Sequence, residues 1–200
     1  MQVRHVRKTV GLLGGSFNPA HDGHRYISLQ ALKKLRLDEI WWLVSPLNPL
    51  KRKDEMASYD RRLESALAVA RHPRIKVSDI ERKIGSQYTF DTISKLKETY
   101  PNINFVWLMG ADNLLQFHHW RRWRSIMHTV PIAVFARKNY AQRALHGTAA
   151  RLFHLYRLPP EDAPILALKK PPAWMFLPIH KHPASATEIR QKGLFQTGEK

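Results

Sequence analysis

The side chains that could do chemistry gather in two short stretches near opposite ends of the chain. The first, GGSFNPAHDGH (residues 14–24), sets Gly14, Gly15, Pro19 and Gly23 around His21 and His24, three positions apart. Imidazoles at that spacing can be aimed at one ligand, and the backbone N–H groups of a helix start attract phosphate. Each ring adds a compact donor that can also be cationic. Two other readings stay open on these residues alone: a metal pair, and ordinary surface histidines in a chain that holds eleven. The metal reading lacks a carboxylate or third ligand at a recognised spacing. The surface reading does not account for glycines and a proline clustered at one junction. The stretch is neither of the common phosphate loops, for it has no G-x-G-x-x-G and no Lys-Ser/Thr after a second glycine.

The second stretch is ASATEIR (184–190). Ser185 followed three residues later by Glu188 reads as a capping box, so a helix is expected to start here. Thr187 and Arg190, again three apart, can present a hydroxyl and a guanidinium to one anion. Taken alone this is a helix cap with a solvated arginine; taken with the first stretch it becomes the other half of an anion site.

The elements that must position these residues follow from periodicity. Val10–Leu13, Ile40–Val44, Ile75–Val77, Ile103–Leu108, Val130–Phe135 and Trp174–Leu177 are short apolar runs rich in branched and aromatic residues, and read as strands. Helical patterns fill the gaps. Ile27, Ala31, Leu32 and Leu35 mark a helix entered at Gly23-His24. Over 59–70, Tyr59, Leu63, Ala66, Leu67 and Ala70 define a buried face, with Arg61, Arg62 and Glu64 expected in water. Phe90, Ile93 and Leu96 mark another helix that stops before Tyr100-Pro101-Asn102. The stretch LPPEDAPILALKKPP (158–172) is expected to be an irregular excursion. Strand and helix in alternation predict an α/β fold, a doubly wound parallel sheet with helices on both faces. In such sheets ligands bind beyond the carboxyl ends of the strands, where the first stretch would lie.

Composition narrows the partners without choosing one. With 200 residues, 44% of them hydrophobic, the chain suits one globular domain over 1–200. It has no cysteine, so neither disulfides nor thiolate zinc sites enter, and the cytoplasm is the expected compartment. Its longest apolar runs, such as IWWLV (40–44) and IAVFA (132–136), fall far below the roughly 20 residues that span a bilayer. The formal net charge of +17 implies an affinity for anions, be they nucleotides, nucleic acid or acidic membranes. The aromatic and basic run WRRWR (120–124) suits stacking on single-stranded nucleic acid, a module that would leave both stretches unexplained. No basic amphipathic helix marks a membrane-surface role.

The two stretches resemble the paired signatures of the nucleotidylyltransferase superfamily, G-x-F-x-P-x-H-x-G-H and S-x-T-x-I-R. NPLKR (48–52), SQYTFDTI (86–93), LMGADNL (108–114) and FHHW (117–120) make the chain similar, in order and rough spacing, to bacterial nicotinate-nucleotide adenylyltransferases. That resemblance runs from Val10 to Arg190 and implies a Rossmann-like sheet. It implies the joining of ATP and nicotinate mononucleotide to give deamido-NAD and pyrophosphate, with magnesium entering on ATP and no protein-held metal. His21, His24 and Arg190 are then the catalytic residues, with His24 at the α-phosphate. Gly14, Gly15, Ser16, Phe17, Asp112, Ser185 and Thr187 join them around ATP. Thr89 falls near the nicotinate carboxylate, Trp120 against the pyridine ring, and Asp112 and Arg121 on the mononucleotide. Arg122 and Lys51 are further phosphate candidates. Relatives using nicotinamide mononucleotide or phosphopantetheine share both terminal signatures, and the Thr89 and Trp120 blocks argue against them. The resemblance implies no nucleic-acid or membrane partner and leaves room for a homo-oligomer.

Overall fold

The computed structural model describes residues 7–46, 56–136, 138–180 and 184–195. Among them, elements follow in the order β1 (Lys8–Gly15), α1 (Asp22–Lys34), β2 (Glu39–Val44), α2 (Tyr59–Val69), β3 (Ile75–Ser78), α3 (Ile80–Lys83), α4 (Thr89–Thr99), β4 (Ile103–Gly110), α5 (Ala111–Gln116), α6 (Trp123–Thr129), β5 (Ile132–Ala136), α7 (Lys138–Leu145), α8 (Thr148–Leu152), β6 (Arg157–Leu158), β7 (Trp174–Pro178) and α9 (Ala186–Gln191). The strands form one sheet in the order β3-β2-β1-β4-β5-β7-β6, and every pairing is parallel. All six expected strands are present, and the two-residue β6 at the sheet edge is an addition that its short sequence did not announce.

Alternation along the strands builds two cores. One face buries Val10, Leu12, Phe105, Trp107, Met109, Ile132, Val134 and Trp174 with Ile93 and Leu96 of α4 and Leu114 of α5. The other buries Leu13, Trp42, Val44, Val106, Leu108, Phe135 and Met175 with Ala31 and Leu32 of α1 and Ala66 of α2. Side chains of period two on a strand covered from both sides produce this arrangement.

Two expectations about α2 are corrected. Leu67 is 57% exposed, while Arg62 is only 1% exposed. The apolar face is rotated because the arginine finds carbonyl oxygens inside, as described below. Nor is the proline-rich stretch wholly irregular: Pro160–Leu168 is a 3-10 helix that packs Ala163, Leu166 and Ala167 onto the second core.

At the amino ends of the strands, Glu39 ties three of them together. Its carboxylate pairs with Lys8 of β1 and Lys76 of β3, each at 2.8 Å, and accepts from the Trp41 indole at 2.9 Å. Burial alone would raise this carboxyl, but hydrogen bonds from Lys76, Lys8 and Trp41 outweigh it and hold the pKa at about 2. Among the described residues no helix is long and apolar enough to cross a membrane.

Candidate active site

The chain order reverses between β1 and β4, which are hydrogen-bonded neighbours from Lys8↔Ile103 to Leu13↔Leu108. A crevice opens at such a switch point because the helices that follow the two strands leave for opposite faces. Here it is a cavity of about 680 Å³, walled by the β1–α1 loop, the end of β4, the α3–α4 segment and the residues after α5.

The loop after β1 is fixed from several sides. Phe17 takes the left-handed conformation, φ 46°, which costs a bulky residue free energy unless its surroundings hold it. The surroundings do: its ring is buried and stacks on Trp42 at 5.0 Å. Asn18 accepts from Ala57 N through its side chain at 3.0 Å, and Ala20 N donates to Ser65 Oγ at 3.1 Å. Gly14 is required for packing, since a Cβ there would collide with the Trp107 indole.

The histidine pair caps α1. His21, at the N-cap, accepts from Gly23 N on Nδ1 at 3.1 Å, and His24 Nδ1 accepts from His21 N at 3.2 Å. The bonds are reciprocal, as in a capping box, with imidazoles in place of the usual hydroxyl and carboxylate. A Cβ on Gly23 would meet the His21 ring at 2.8 Å, so the glycine allows the cap. Because Nδ1 is the acceptor in each ring, we assign the ring proton to Nε2, which becomes the donor atom of both. The ring centroids lie 4.0 Å apart. His24 rests against Phe17 at 4.9 Å, and its carbonyl accepts from Ser28 Oγ, which in turn accepts from the buried Trp42 indole.

Beneath this loop lies Arg62. Its guanidinium donates to the carbonyls of Ser16 (2.8 Å), Ser45 (2.7 Å), Pro46 (2.9 Å) and Ala57 (3.1 Å). Burial pulls its pKa below the ordinary value, with Tyr59 opposing; that value is high enough that the group keeps its charge. Among the described residues no carboxylate pairs with it. A buried cation satisfied by neutral oxygens is uncommon, and this one leaves a positive charge under the loop that carries the anion-site motif.

The opposite wall has a buried acid. Glu81, 5% exposed, accepts from Thr92 Oγ1 at 3.1 Å and hydrogen-bonds with the Ser45 side chain. Burial pushes its carboxyl up to about 7, against those two hydrogen bonds, which favour the ionised form. Ser45 therefore joins both sides: its N–H donates to Gly15 O at 3.0 Å, its carbonyl accepts from Arg62, and its hydroxyl meets Glu81.

Most of the sequence candidates converge. Gly14, Gly15, Ser16, Phe17, His21 and His24 line the cavity together with Thr89, Asp112, Trp120 and Arg121. Asp112 stands in the first turn of α5, and a Cβ at Gly110 would overlap its carboxylate. Trp120 meets Trp107 edge-on at 6.2 Å and Phe117 at 5.2 Å, so it packs on the core and lines the cavity at once. Arg121 lies over the Tyr88 ring at 4.4 Å, whereas Arg122 covers Phe90 at 4.2 Å and does not line the cavity.

The second stretch behaves differently. Helix α9 forms, and Ser185 is its N-cap, but no side-chain capping bond is made, so the expected capping box is absent. Ala186 reaches the cavity wall, while Ser185, Thr187 and Arg190 do not. Arg190 instead donates to the Asn18 carbonyl at 2.7 Å, tying α9 to the β1–α1 loop. Lys51 and the NPLKR block lie outside the described residues. Arg62, Ser45, Glu81 and Trp42 were missed; of these only Arg62 carried a signal, a charge at a position adjoining the buried stripe of α2.

A parallel sheet with a glycine-containing β1–α1 loop and a paired-histidine helix cap at its switch point has the architecture of nucleotide-binding α/β proteins. The family model described as cytidylyltransferase-like matches residues 12–192. The chain is 53% identical over 184 residues to a "Probable nicotinate-nucleotide adenylyltransferase" of Parvibaculum lavamentivorans, covering 92% of each chain. It is 48% identical to a protein of the same name from Ruegeria sp. (strain TM1040), covering 92% of this chain and 97% of that one. Among solved structures, it shares its fold with a Plasmodium falciparum nicotinic acid mononucleotide adenylyltransferase complexed with NaAD, at TM-score 0.66 and 19% identity over 92% of this chain and 83% of that one. The chain belongs to the cytidylyltransferase-like family and, within it, to the nicotinate-nucleotide adenylyltransferases.

Proposed function

We propose that the chain, as a single domain, transfers the adenylyl group of ATP to nicotinate mononucleotide, giving deamido-NAD and pyrophosphate. One observation carries the reading: the histidine cap and the Thr89, Trp120 and Arg121 side chains, distant in sequence, line one cavity at the switch point. In the reaction a phosphate oxygen of the mononucleotide forms a bond to the α-phosphorus. The bond from that phosphorus to the α–β bridging oxygen breaks, and pyrophosphate leaves with the electron pair. The nucleophile is a phosphate monoester whose second pKa of about 6 makes it mostly dianionic at neutral pH, so the protein has no proton to abstract. Its task is to align two anions and stabilise the charge that grows on the α-phosphate and the leaving group.

On this reading the Nε2–H groups of His21 and His24 donate to the phosphates, His24 at the α-phosphate, with Gly14, Gly15, Ser16 and Phe17 forming the loop against ATP. The charge on Arg62 acts through the carbonyls it holds. Arg190, with Thr187 and Ser185 beside it, serves the β and γ phosphates once it leaves the Asn18 carbonyl. Asp112 accepts from ribose hydroxyls, Thr89 receives the nicotinate carboxylate, Trp120 stacks on the ring and Arg121 meets the mononucleotide phosphate. Magnesium enters on ATP, held by phosphate oxygens and water, a mode suited to a small ion that keeps part of its hydration shell. Its chemistry is to neutralise charge on the departing pyrophosphate. A cytoplasmic location, small-molecule partners only and room for a homo-oligomer belong to the same reading.

The test is pyrophosphate release with ATP and magnesium, offering nicotinate mononucleotide, its amide or phosphopantetheine in parallel. Turnover is expected to be fastest with the acid. Preference for either alternative overturns the substrate assignment.

A further inference from the structure

The mechanism above makes no use of Glu81, yet this carboxyl is buried, lines the cavity and sits beside the segment that carries Thr89. Glutamate is almost never buried without a paired charge. Here the partners are hydroxyls, and no cation among the described residues forms an ion pair with it. Backbone bonds tie the same region into a turn: Ser86 N donates to the Glu81 carbonyl at 3.0 Å, and Gly85 takes φ 64° to make that return.

Counting protons shows what the carboxyl controls. Thr92 Oγ1 lies near three acceptors, Glu81 Oε1 at 3.1 Å, Ser86 Oγ at 3.3 Å and the Tyr88 carbonyl at 3.3 Å, and has one proton to give. Ser86 Oγ donates to the Tyr88 carbonyl at 3.1 Å and accepts from Tyr88 N at 3.2 Å. When Glu81 is ionised, the Thr92 proton goes to it. When Glu81 is protonated it has a proton of its own to donate to Thr92 or Ser45, and a Thr92 that accepts it is free to turn its proton to Tyr88 or Ser86. The carboxyl is thereby linked, through Thr92 and Ser86, to the backbone next to Thr89.

We propose that Glu81 is a positioning residue for the acid-binding end of the cavity: through Thr92 and Ser86 it holds residues 86–89 in the shape that receives the carboxylate of the second substrate. The proposal rests on the nicotinate mononucleotide reading given above. A neutral Glu81 also spares that carboxylate a like charge nearby, and the raised proton affinity of the buried group keeps the neutral form populated near neutrality. Other polar and charged groups surround it. Ser45 and Thr92 face it from β2 and α4, Tyr59 acts on it from α2, and Asp79 and Arg82 flank it in sequence. His21, His24, Asp112, His119 and Arg121 share the cavity wall. A comparison with E81Q subtracts all of these, and the substrate phosphates as well.

The experiment is steady-state adenylyl transfer to nicotinate mononucleotide from about pH 6 to about pH 8, for the unaltered protein, E81A, E81Q and T92V, with thermal unfolding of each. E81A is expected to raise the KM for nicotinate mononucleotide about tenfold and that for ATP less than about twofold. E81Q, which keeps the size and hydrogen bonds, is expected to restore the KM at neutral pH. It should also abolish the rise in that KM expected of the unaltered protein as pH increases through about 7. T92V is expected to match E81A, and carries the same test should E81A fail to fold. Equal KM changes for both substrates, or an unchanged pH profile in E81Q, overturn the positioning role alone. Absence of transfer to nicotinate mononucleotide by the unaltered protein overturns the functional reading and this proposal with it.

Discussion

Two buried ionisable side chains of opposite type, Arg62 beneath the β1–α1 loop and Glu81 on the facing wall of the cavity, are satisfied in opposite ways. Under the β1–α1 loop, Arg62 donates to four backbone carbonyls and keeps its charge. Beside the segment that carries Thr89, the Glu81 carboxyl meets only hydroxyls, and its pKa rises to about 7. The cation can be buried because an arginine donates through a fork that matches several oxygens at once. The carboxylate has no comparable set of donors and moves toward its neutral form. On the proposed reading, the end that binds phosphate keeps a permanent charge, and the end that accepts the substrate carboxylate holds an acid able to lose its own. Ser45, bonded to both, makes the two ends one structure.

Removing Arg62 is the largest test of that contrast. R62M strands two buried and two part-buried carbonyls and is expected to lower unfolding stability by about 3–5 kcal/mol in urea titrations. R62K should recover only part, because a point ammonium cannot replace the fork. Unfolding at the unaltered midpoint would show that the phosphate end is not held from below. Next comes the loop itself: H24A is expected to lower kcat about 10²–10³-fold, as losing one donor to developing charge does. H21N separates roles at this end, since asparagine can cap a helix. It should unfold within about 0.5 kcal/mol of the unaltered protein yet turn over slowly. Normal turnover in either variant removes the histidines from the phosphates.

Glu81 predicts a pH effect of defined sign. Its folded-state pKa of about 7 lies above the usual carboxyl value of 4.5, so the folded state holds the proton longer. Stability contributed by the protonated group is fully present below the usual value and is lost as pH rises through about 7. E81Q should therefore gain on the unaltered protein by on the order of 2–3 kcal/mol between about pH 5 and pH 8. A constant difference across that range would mean the burial of Glu81 does not raise its pKa. Glu39 is the control at the other end of the sheet, a glutamate depressed to about 2 by lysines. Its contribution is present above the usual carboxyl range and is lost as pH falls toward about 2. Both lysines are largely exposed, so E39Q should cost about 1 kcal/mol or less at neutral pH, and less still in high salt.

How much of this was legible follows the kind of interaction. Val10–Leu13 and Ile103–Leu108 announce strands because alternation and branching are local properties, and these two strands prove to be the neighbours that flank the switch point. The histidine pair was legible as two rings sharing one strand-to-helix junction, and both line the cavity. Its capping role was not, because Nδ1 acceptance depends on how Gly23 lets the ring fold back. Arg62 was read as solvated since a charge on a helix is usually wet, and the four carbonyls that bury it come from three separate segments. Ser185 and Glu188 have the spacing of a capping box, and the bond is not made.

By itself the sequence determined the α/β class, the six main strands, the two signature stretches and the residues on which a nucleotide reading rests, since these depend on residue type and short spacing. The tertiary structure decided which of those residues share a wall. It also made Arg190 a tie to Asn18, turned Gly14 into a packing requirement of Trp107, and brought Ser45 between a buried cation and a buried acid. Those outcomes come from desolvation and from partners far apart in the chain, and no local pattern records either.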